Sequence, residues 1–281
     1  MLLGSTVSEG PLTRSDVSKQ QTGVRELLTM TWPQVEAYLQ HSHGVILPMG
    51  SVEQHGSAGL LGTDAICAQS IGRRAAETAQ AILAPTISLG MAQFNLGFAG
   101  TVSLRPSTLQ AVLIDYIGSL ELMGFTHIYV LNGHGGNVAP ARCAFAEKYA
   151  ARSFGRETGG PLYCRLVNWW DPPAVSLLRR ELYGDAEGFH ATPSEVAITM
   201  ACHPGRVELE DFPHDTARHR ESAVIQHGGD PYFDAKDHRA RYPDGRVASN
   251  PSLANAADGE QLLAVAGKAI AEDYLNFIAA K

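Results

Sequence analysis

The run Gly44–Met49 (GVILPM) is apolar throughout, and it gives way not to ordinary turn residues but to GSVEQHG. An unbroken apolar stretch of this length is what a strand buried on both faces of a parallel sheet requires. Similar runs follow at 82–89, interrupted by Pro85, at 127–131 (HIYVL) and at 162–167. Helical patterns separate them. Thr63 or Asp64 can cap a helix running to about Gln80, with Ile66, Cys67, Ser70, Ile71 and Ala75 roughly on one face. Pro106, Ser107 and Thr108 open another, striped by Leu109, Val112, Leu113, Tyr116 and Leu120. Further helices are expected over about 138–153, 192–202 and 258–280. Strands alternating with helices in this way predict an α/β fold, a single domain with a mostly parallel β-sheet and helices on both faces. Residues 206–250 are rich in His, Asp, Pro and Arg without a clear period, and are read as long loops at a subunit contact, with Phe212, Tyr232 and Phe233 as contact residues.

Composition excludes several classes of function. With 281 residues, 44% hydrophobic and 18% charged, the chain has the make-up of a soluble globular enzyme. No stretch approaches the roughly 20 apolar residues of a membrane span. A net charge of −7 and the absence of a basic run argue against nucleic acid as a partner. The start, MLLGSTVSEGPLTRSDVSKQQTG, turns polar after two or three apolar residues. It therefore reads as a flexible tail, 1–25, ahead of a domain at 26–281, and the chain as cytoplasmic. Cys67, Cys143, Cys164 and Cys202 lack zinc-ribbon spacing and are expected to be buried free thiols.

In an open α/β sheet, function sits at the carboxyl ends of the strands. Two polar motifs fall there. Glu53 and His55, two apart on an extended segment, project to one face about 7 Å apart, which suits two neighbouring metals. Asp64, after the glycine-containing loop LLGTD, can fold back over the same spot, where its two oxygens can bridge two cations; alone it reads equally as a helix cap. His134, in NGHGGN straight after a buried strand, is aimed by flanking glycines; the same motif can be a turn with Asn137 capping the next helix. These oxygen and nitrogen donors suit Zn, Mn or Fe. A third stretch, AEGFHATPSEVAITM (186–200), places His190 ahead of a helix start. There Glu195 is either a capping-box partner of Thr192, or an orienting partner of His190, or a further ligand. Trp169 and Trp170 read as an aromatic wall or lid, or as a packed interface.

The pieces GSVEQHG, LGTDA, NLGFAGTVSLRPST, NGHGGN and HATPSE, in that order over 44 to about 205, resemble the creatininase (creatinine amidohydrolase) family. The resemblance implies a binuclear metal centre: Glu53 on one ion, His55 on the other, Asp64 bridging, His134 completing the first, and His190 carrying the proton. It implies a metal-dependent hydrolase acting on a C–N bond of a small-molecule cyclic amide or formamide through a hydroxide shared by the two ions. The alternatives are a hydrolase of a non-amide carbonyl such as a keto-inositol, and a non-catalytic binding homologue. It also implies a homo-oligomer, a hexamer in most relatives. Two positions depart from the pattern. Gly136 stands where creatininase has a glutamate ligand, which leaves Glu195 or Glu187 as replacement. Leu96 stands where members often carry a histidine.

Overall fold

The computed structural model describes residues 23–156, 159–209 and 234–280. Five parallel strands form one sheet in the order β1-β3-β2-β4-β5: β1 Arg25–Glu26, β2 Gly44–Met49, β3 Ile82–Leu83, β4 His127–Asn132 and β5 Tyr163–Asn168. Among the described residues, eight α-helices accompany them: α1 Trp32–Leu39, α2 Thr63–Ala79, α3 Pro106–Met123, α4 Val138–Ser153, α5 Pro173–Tyr183, α6 Pro193–Cys202, α7 Ala235–Arg241 and α8 Ala256–Ala279.

The central strand β2 is buried along its whole length and serves two cores. Val45, Leu47 and Met49 point to one face, where they pack with Ile128 and Val130 of β4 and with Leu109, Leu113, Ile117 and Ala144 of α3 and α4. Ile46 points to the other, with Tyr129 and Leu131 of β4, Cys67, Ile71 and Ala75 of α2, and Leu262, Ala266 and Ile270 of α8. The period of two along each strand thus divides the apolar residues between two helical layers. Burying each of the Val, Leu, Ile and Met side chains among these stabilises the fold by about 1.5–3 kcal/mol. No described helix is long and apolar enough to cross a membrane.

From β2 the chain turns through α2 to β3 on one side, then crosses back through α3 to β4 on the other. The gap between the carboxyl ends of β2 and β4 is therefore the point where strand order reverses, the usual ligand crevice of such a sheet. Met49 and Asn132 are paired at that edge, so Gly50–His55 and Gly133–His134 emerge side by side.

Several expectations need correction. The strand at 82–89 is only Ile82–Leu83, because Pro85 has no N–H to continue the ladder; Ile87 rejoins by a single bridge to Met49. Neither Thr63 nor Asp64 caps α2: Gly62 occupies the cap, and Asp64 lies in the first turn. The loop reading of 206–250 fails at α7, whose seven residues are too few to show a helical period. Of the tail expected over 1–25, residues 1–22 lie outside the described residues, and Arg25 already pairs with Ile82 in the sheet. Phe212, Tyr232 and Phe233 lie outside them too. All four thiols are free, but only Cys67 is buried: Cys164 and Cys202 are half-buried, and Cys143 is exposed on α4.

Candidate metal centre

The sheet edge brings together residues that the sequence scatters over more than 140 positions. Glu53 and His55 leave β2, Asp64 sits in the first turn of α2, and His134 follows β4. His190 is held by an antiparallel bridge to Val247, and Glu195 stands in the first turn of α6. One donor atom from each of Glu53, Asp64 and His134 lies within 4.8 Å of the others; the same is true of His55, Asp64 and Glu195, and of Glu53, His55 and His190. Glu53 and His55 are therefore closer than two extended side chains would place them. Asp64 belongs to two of the sets through different oxygens: Oδ1 is 3.0 Å from His55 Nε2 and Oδ2 is 3.1 Å from His134 Nδ1.

The hydrogen bonds around the cluster fix which ring nitrogens face it. His134 Nε2 donates to the Met91 carbonyl at 2.9 Å, which leaves the Nδ1 lone pair 3.1 Å from both Glu53 Oε1 and Asp64 Oδ2. His55 Nδ1 donates to the Glu53 carbonyl at 3.1 Å and turns Nε2 toward Asp64. His190 Nε2 donates to the Gln54 carbonyl at 2.8 Å, with Nδ1 3.7 Å from Glu53 Oε1. The two hydrogens of Gln54 Nε2 are spent on Asn95 Oδ1 (2.7 Å) and the Gly245 carbonyl (2.9 Å), which settles the His190 tautomer. Asn95 in turn donates to Glu53 Oε2 at 2.9 Å. Each imidazole is thus anchored through one nitrogen on a backbone carbonyl, and the other nitrogen looks at carboxylate oxygens. That is the outer-sphere pattern of metal-ligating histidines.

Lone pairs facing carboxylates in a buried site require positive charge between them. Asp64 Oδ2 faces His134 Nδ1 at 3.1 Å without a well-aligned hydrogen bond, which leaves room for a cation between them. The titration of the same groups shows the demand. Burial alone pushes His55 down, but Asp64, joined by Glu195 and Glu53, lifts the imidazole to about 10. His134 is raised well above its usual value by Glu53 and Asp64, again against burial. Asp64, which burial would raise, is held at about 2 by His55 and His134. Glu53 likewise stays below its usual value: burial and the Asp64 charge push it up, but the charge and hydrogen bond of His134, with His190, together bring it down. Glu195 goes the other way, pushed up by burial. The donor set and its orientation fit two divalent cations sharing Asp64.

Glu195 resolves two readings at once. Its Oε2 accepts from the Thr192 backbone N–H at 2.9 Å and from Thr192 Oγ1 at 2.8 Å, so the capping box is present. It also belongs to the His55–Asp64 set, so cap and ligand geometry coexist. Glu187, the other candidate for the ligand absent at Gly136, is tied instead to Arg179 at 2.7 Å and to Ser194, and joins none of the sets. Gly136 has no room for a side chain: a Cβ would be driven into the Met91 carbonyl and to 2.6 Å from His134 Nε2.

A cavity of about 350 Å³ opens over the cluster, walled by Phe94, Trp170, Phe189, His238 and Tyr242. The two tryptophans part company: Trp169 is wholly buried beneath Arg179, and Trp170 lines the cavity. Leu96 is half-exposed and not among the cavity residues. Sequence reasoning gave no role to Gln54 or Asn95, and missed His238 and Tyr242. Gln54 lay within a quoted motif, but nothing in the sequence pairs it with Asn95 or marks His238.

Among curated proteins, the chain is similar to the mycofactocin precursor peptide peptidase of Mycobacterium ulcerans, 32% identical over 147 residues, or 49% of this chain. It spans about half of that relative's length, 53%. It is 27% identical over 263 residues to the creatinine amidohydrolase of Pseudomonas putida, covering 86% of this chain and 93% of that one. A solved creatininase in its manganese form shares the fold with a TM-score of 0.76 at 22% identity, over 92% of this chain and all of the other. Residues 28–274, which include every side chain of the cluster, match the creatinine amidohydrolase family, so the chain is a member of the creatininase family of hydrolases.

Proposed function

We propose that the protein is an amidohydrolase that binds two divalent cations (Zn, Mn or Fe) and cleaves a non-peptide C–N bond in a small cyclic amide or formamide. Glu53, Asp64 and His134 would hold one ion, and His55, Asp64 and Glu195 the other. Such a pair, when bound, supplies Lewis acidity that brings the pKa of a bound water toward neutrality and polarises a carbonyl. The observation that carries the reading is the shared Asp64, whose two oxygens face His55 and His134 separately.

The chain's own residues do the rest. Asn95 and the Met91, Glu53 and Gln54 carbonyls hold the donors in orientation, so little reorganisation accompanies reaction. Burial keeps His190 neutral, down at about 3, against the pull of Glu53. Its Nδ1 is then free to take up a proton and deliver it to the departing nitrogen. Phe94 and Trp170 exclude water around the scissile group. We assign residues 26–281 to one hydrolase domain and place the protein in the cytoplasm as a homo-oligomer.

A second reading, cleavage of a peptide C–N bond, is favoured by the likeness to the mycobacterial peptidase over half of this chain. Elemental analysis of protein purified without added metal, followed by a panel of cyclic amides, formamides, keto-sugars and short peptides, tests both. Close to two ions per chain and turnover of an amide or formamide is the expected result. Turnover confined to peptides or keto-sugars overturns the substrate class, and no bound metal after reconstitution overturns the reading itself.

A further inference from the structure

Arg179 stands in the cavity wall but outside the cluster. It belongs to α5, its guanidinium lies 5.4 Å over the buried Trp169 ring, and it lines the same cavity as Glu195 and Trp170. Among the described residues it is the one Lys or Arg of that wall. A short series of hydroxyls joins it to the cluster. Arg179 Nε donates to Ser194 Oγ at 3.2 Å, the Ser194 and Thr192 hydroxyls are 3.1 Å apart, and Thr192 Oγ1 donates to Glu195 Oε2 at 2.8 Å. The guanidinium therefore lies on the side of the cluster formed by His55, Asp64 and Glu195.

Glu187 occupies only part of this guanidinium. Nε and Nη2 both reach the same oxygen, Oε1, at 2.8 and 2.7 Å. A guanidinium carries five N–H donors in a planar fork, and this contact uses the edge formed by Nε and Nη2. The end-on edge, Nη1 with the second Nη2 hydrogen, has the spacing to receive a second carboxylate. Nη1 has no acceptor among the described residues and is not sealed from solvent, and the side chain is 18% exposed. Trp169 beneath and Glu187 beside hold the fork in place, so little side-chain freedom is lost when a ligand docks. A pair serving only to fasten α5 to the 184–187 turn has no need to reach the cavity.

We propose that Arg179 is a substrate-binding residue and that the substrate is an amide carrying a carboxylate. The free edge of the guanidinium receives that carboxylate while the amide carbonyl faces the cluster. The placement of the carbonyl rests on the functional reading above. A carboxylate on two parallel N–H donors forms a charge-assisted pair, stronger than a neutral hydrogen bond and fixed in direction. Phe94, Trp170 and Phe189 in the same wall lower the local dielectric, which strengthens the pair further. A site built to hydrogen-bond a ligand rejects an analogue lacking that group far more strongly than it rejects a missing methylene.

Two matched pairs test this on the zinc-loaded full chain by ligand-observed NMR titration: 5-oxoproline against 2-pyrrolidinone, and N-formyl-β-alanine against N-ethylformamide. In each pair the first member adds only a carboxylate, at a shorter and a longer reach. The wild type should bind the carboxylate member of at least one pair about 10-fold or more tighter. Arg179→Met combined with Glu187→Gln, which leaves no charge of the pair unmatched, should narrow that gap to within about 3-fold with metal content unchanged. Glu187→Gln alone should widen it by about 3-fold or more, since the guanidinium then faces no competing carboxylate. No carboxylate preference in either pair overturns the assignment. So does an undiminished preference in the double variant, which would put the carboxylate on the ions. If the double variant does not fold, an unchanged or narrowed gap in Glu187→Gln overturns it instead. Hydrolysis followed in the same samples separates the two ideas: an Arg179-dependent preference without C–N cleavage removes the amide reading and leaves Arg179 as a carboxylate-binding residue.

Discussion

Gly136 lies against the His134 ring so closely that a Cβ on it would stand 2.6 Å from Nε2, the nitrogen that donates to the Met91 carbonyl. The glycine is therefore part of how His134 is aimed. Gly136→Ala should push the imidazole off Met91 and cost about 10–100-fold in metal affinity, as loss of an outer-sphere partner does. Gly136→Glu should not restore a ligand, because the first side-chain atom already collides. Metal titration with a competing chelator measures both; an unchanged affinity in the alanine variant would show that His134 tolerates the displacement.

Asp64 is the one carboxylate common to the two sets that carry Glu53–His134 and His55–Glu195. Asp64→Ala should therefore empty both positions together, from about two ions per chain to near none. Loss of a single ion, seen by elemental analysis, would mean the two sets bind independently and Asp64 bridges nothing.

Much of this arrangement is legible in the sequence because the physics is local. A wholly apolar β2 can only be a buried strand, and polar residues at its carboxyl end have no packing reason to be Glu and His. At Glu195 cap and ligand do not compete, since Oε2 alone satisfies the cap. What stayed hidden depends on which distant segments meet. Asn95 matters because it lies between Gln54 and Glu53, and His238 because α7 docks on Phe94 and Phe98; neither contact leaves a periodic trace. Pro85 was visible, but how early it would end β3 was not.

His190 differs from the other two histidines in being lowered rather than raised, because burial dominates over the more distant Glu53. His190→Ala should lower kcat by about 10²–10⁴ through loss of proton transfer while leaving bound metal unchanged. A parallel loss of metal would instead make His190 a ligand, a role its place in the set with Glu53 and His55 also permits.

The opposed shifts set a pH optimum for the chelated, metal-free protein. His55 moves from 6.5 to about 10 and His134 well upward, so their stabilisation is complete below 6.5 and is lost as pH rises toward 10. His190 is lowered to about 3, so below 6.5 the unfolded chain binds a proton that the folded one refuses, and stability falls with pH there. Asp64, lowered to about 2, adds to the acid loss only below its unfolded value of 3.8. Glu195, raised by burial, keeps a proton that the unfolded chain releases above 4.5, which offsets the His190 gain there. Urea midpoints of metal-free protein should therefore be highest between about pH 4.5 and 6.5 and decline on both sides. Metal displaces the protons of His55 and His134, so metal affinity should climb over the same alkaline range in which the metal-free fold weakens. A midpoint that keeps rising from pH 7 to 10 would mean that these imidazoles are not the groups neutralising the carboxylates.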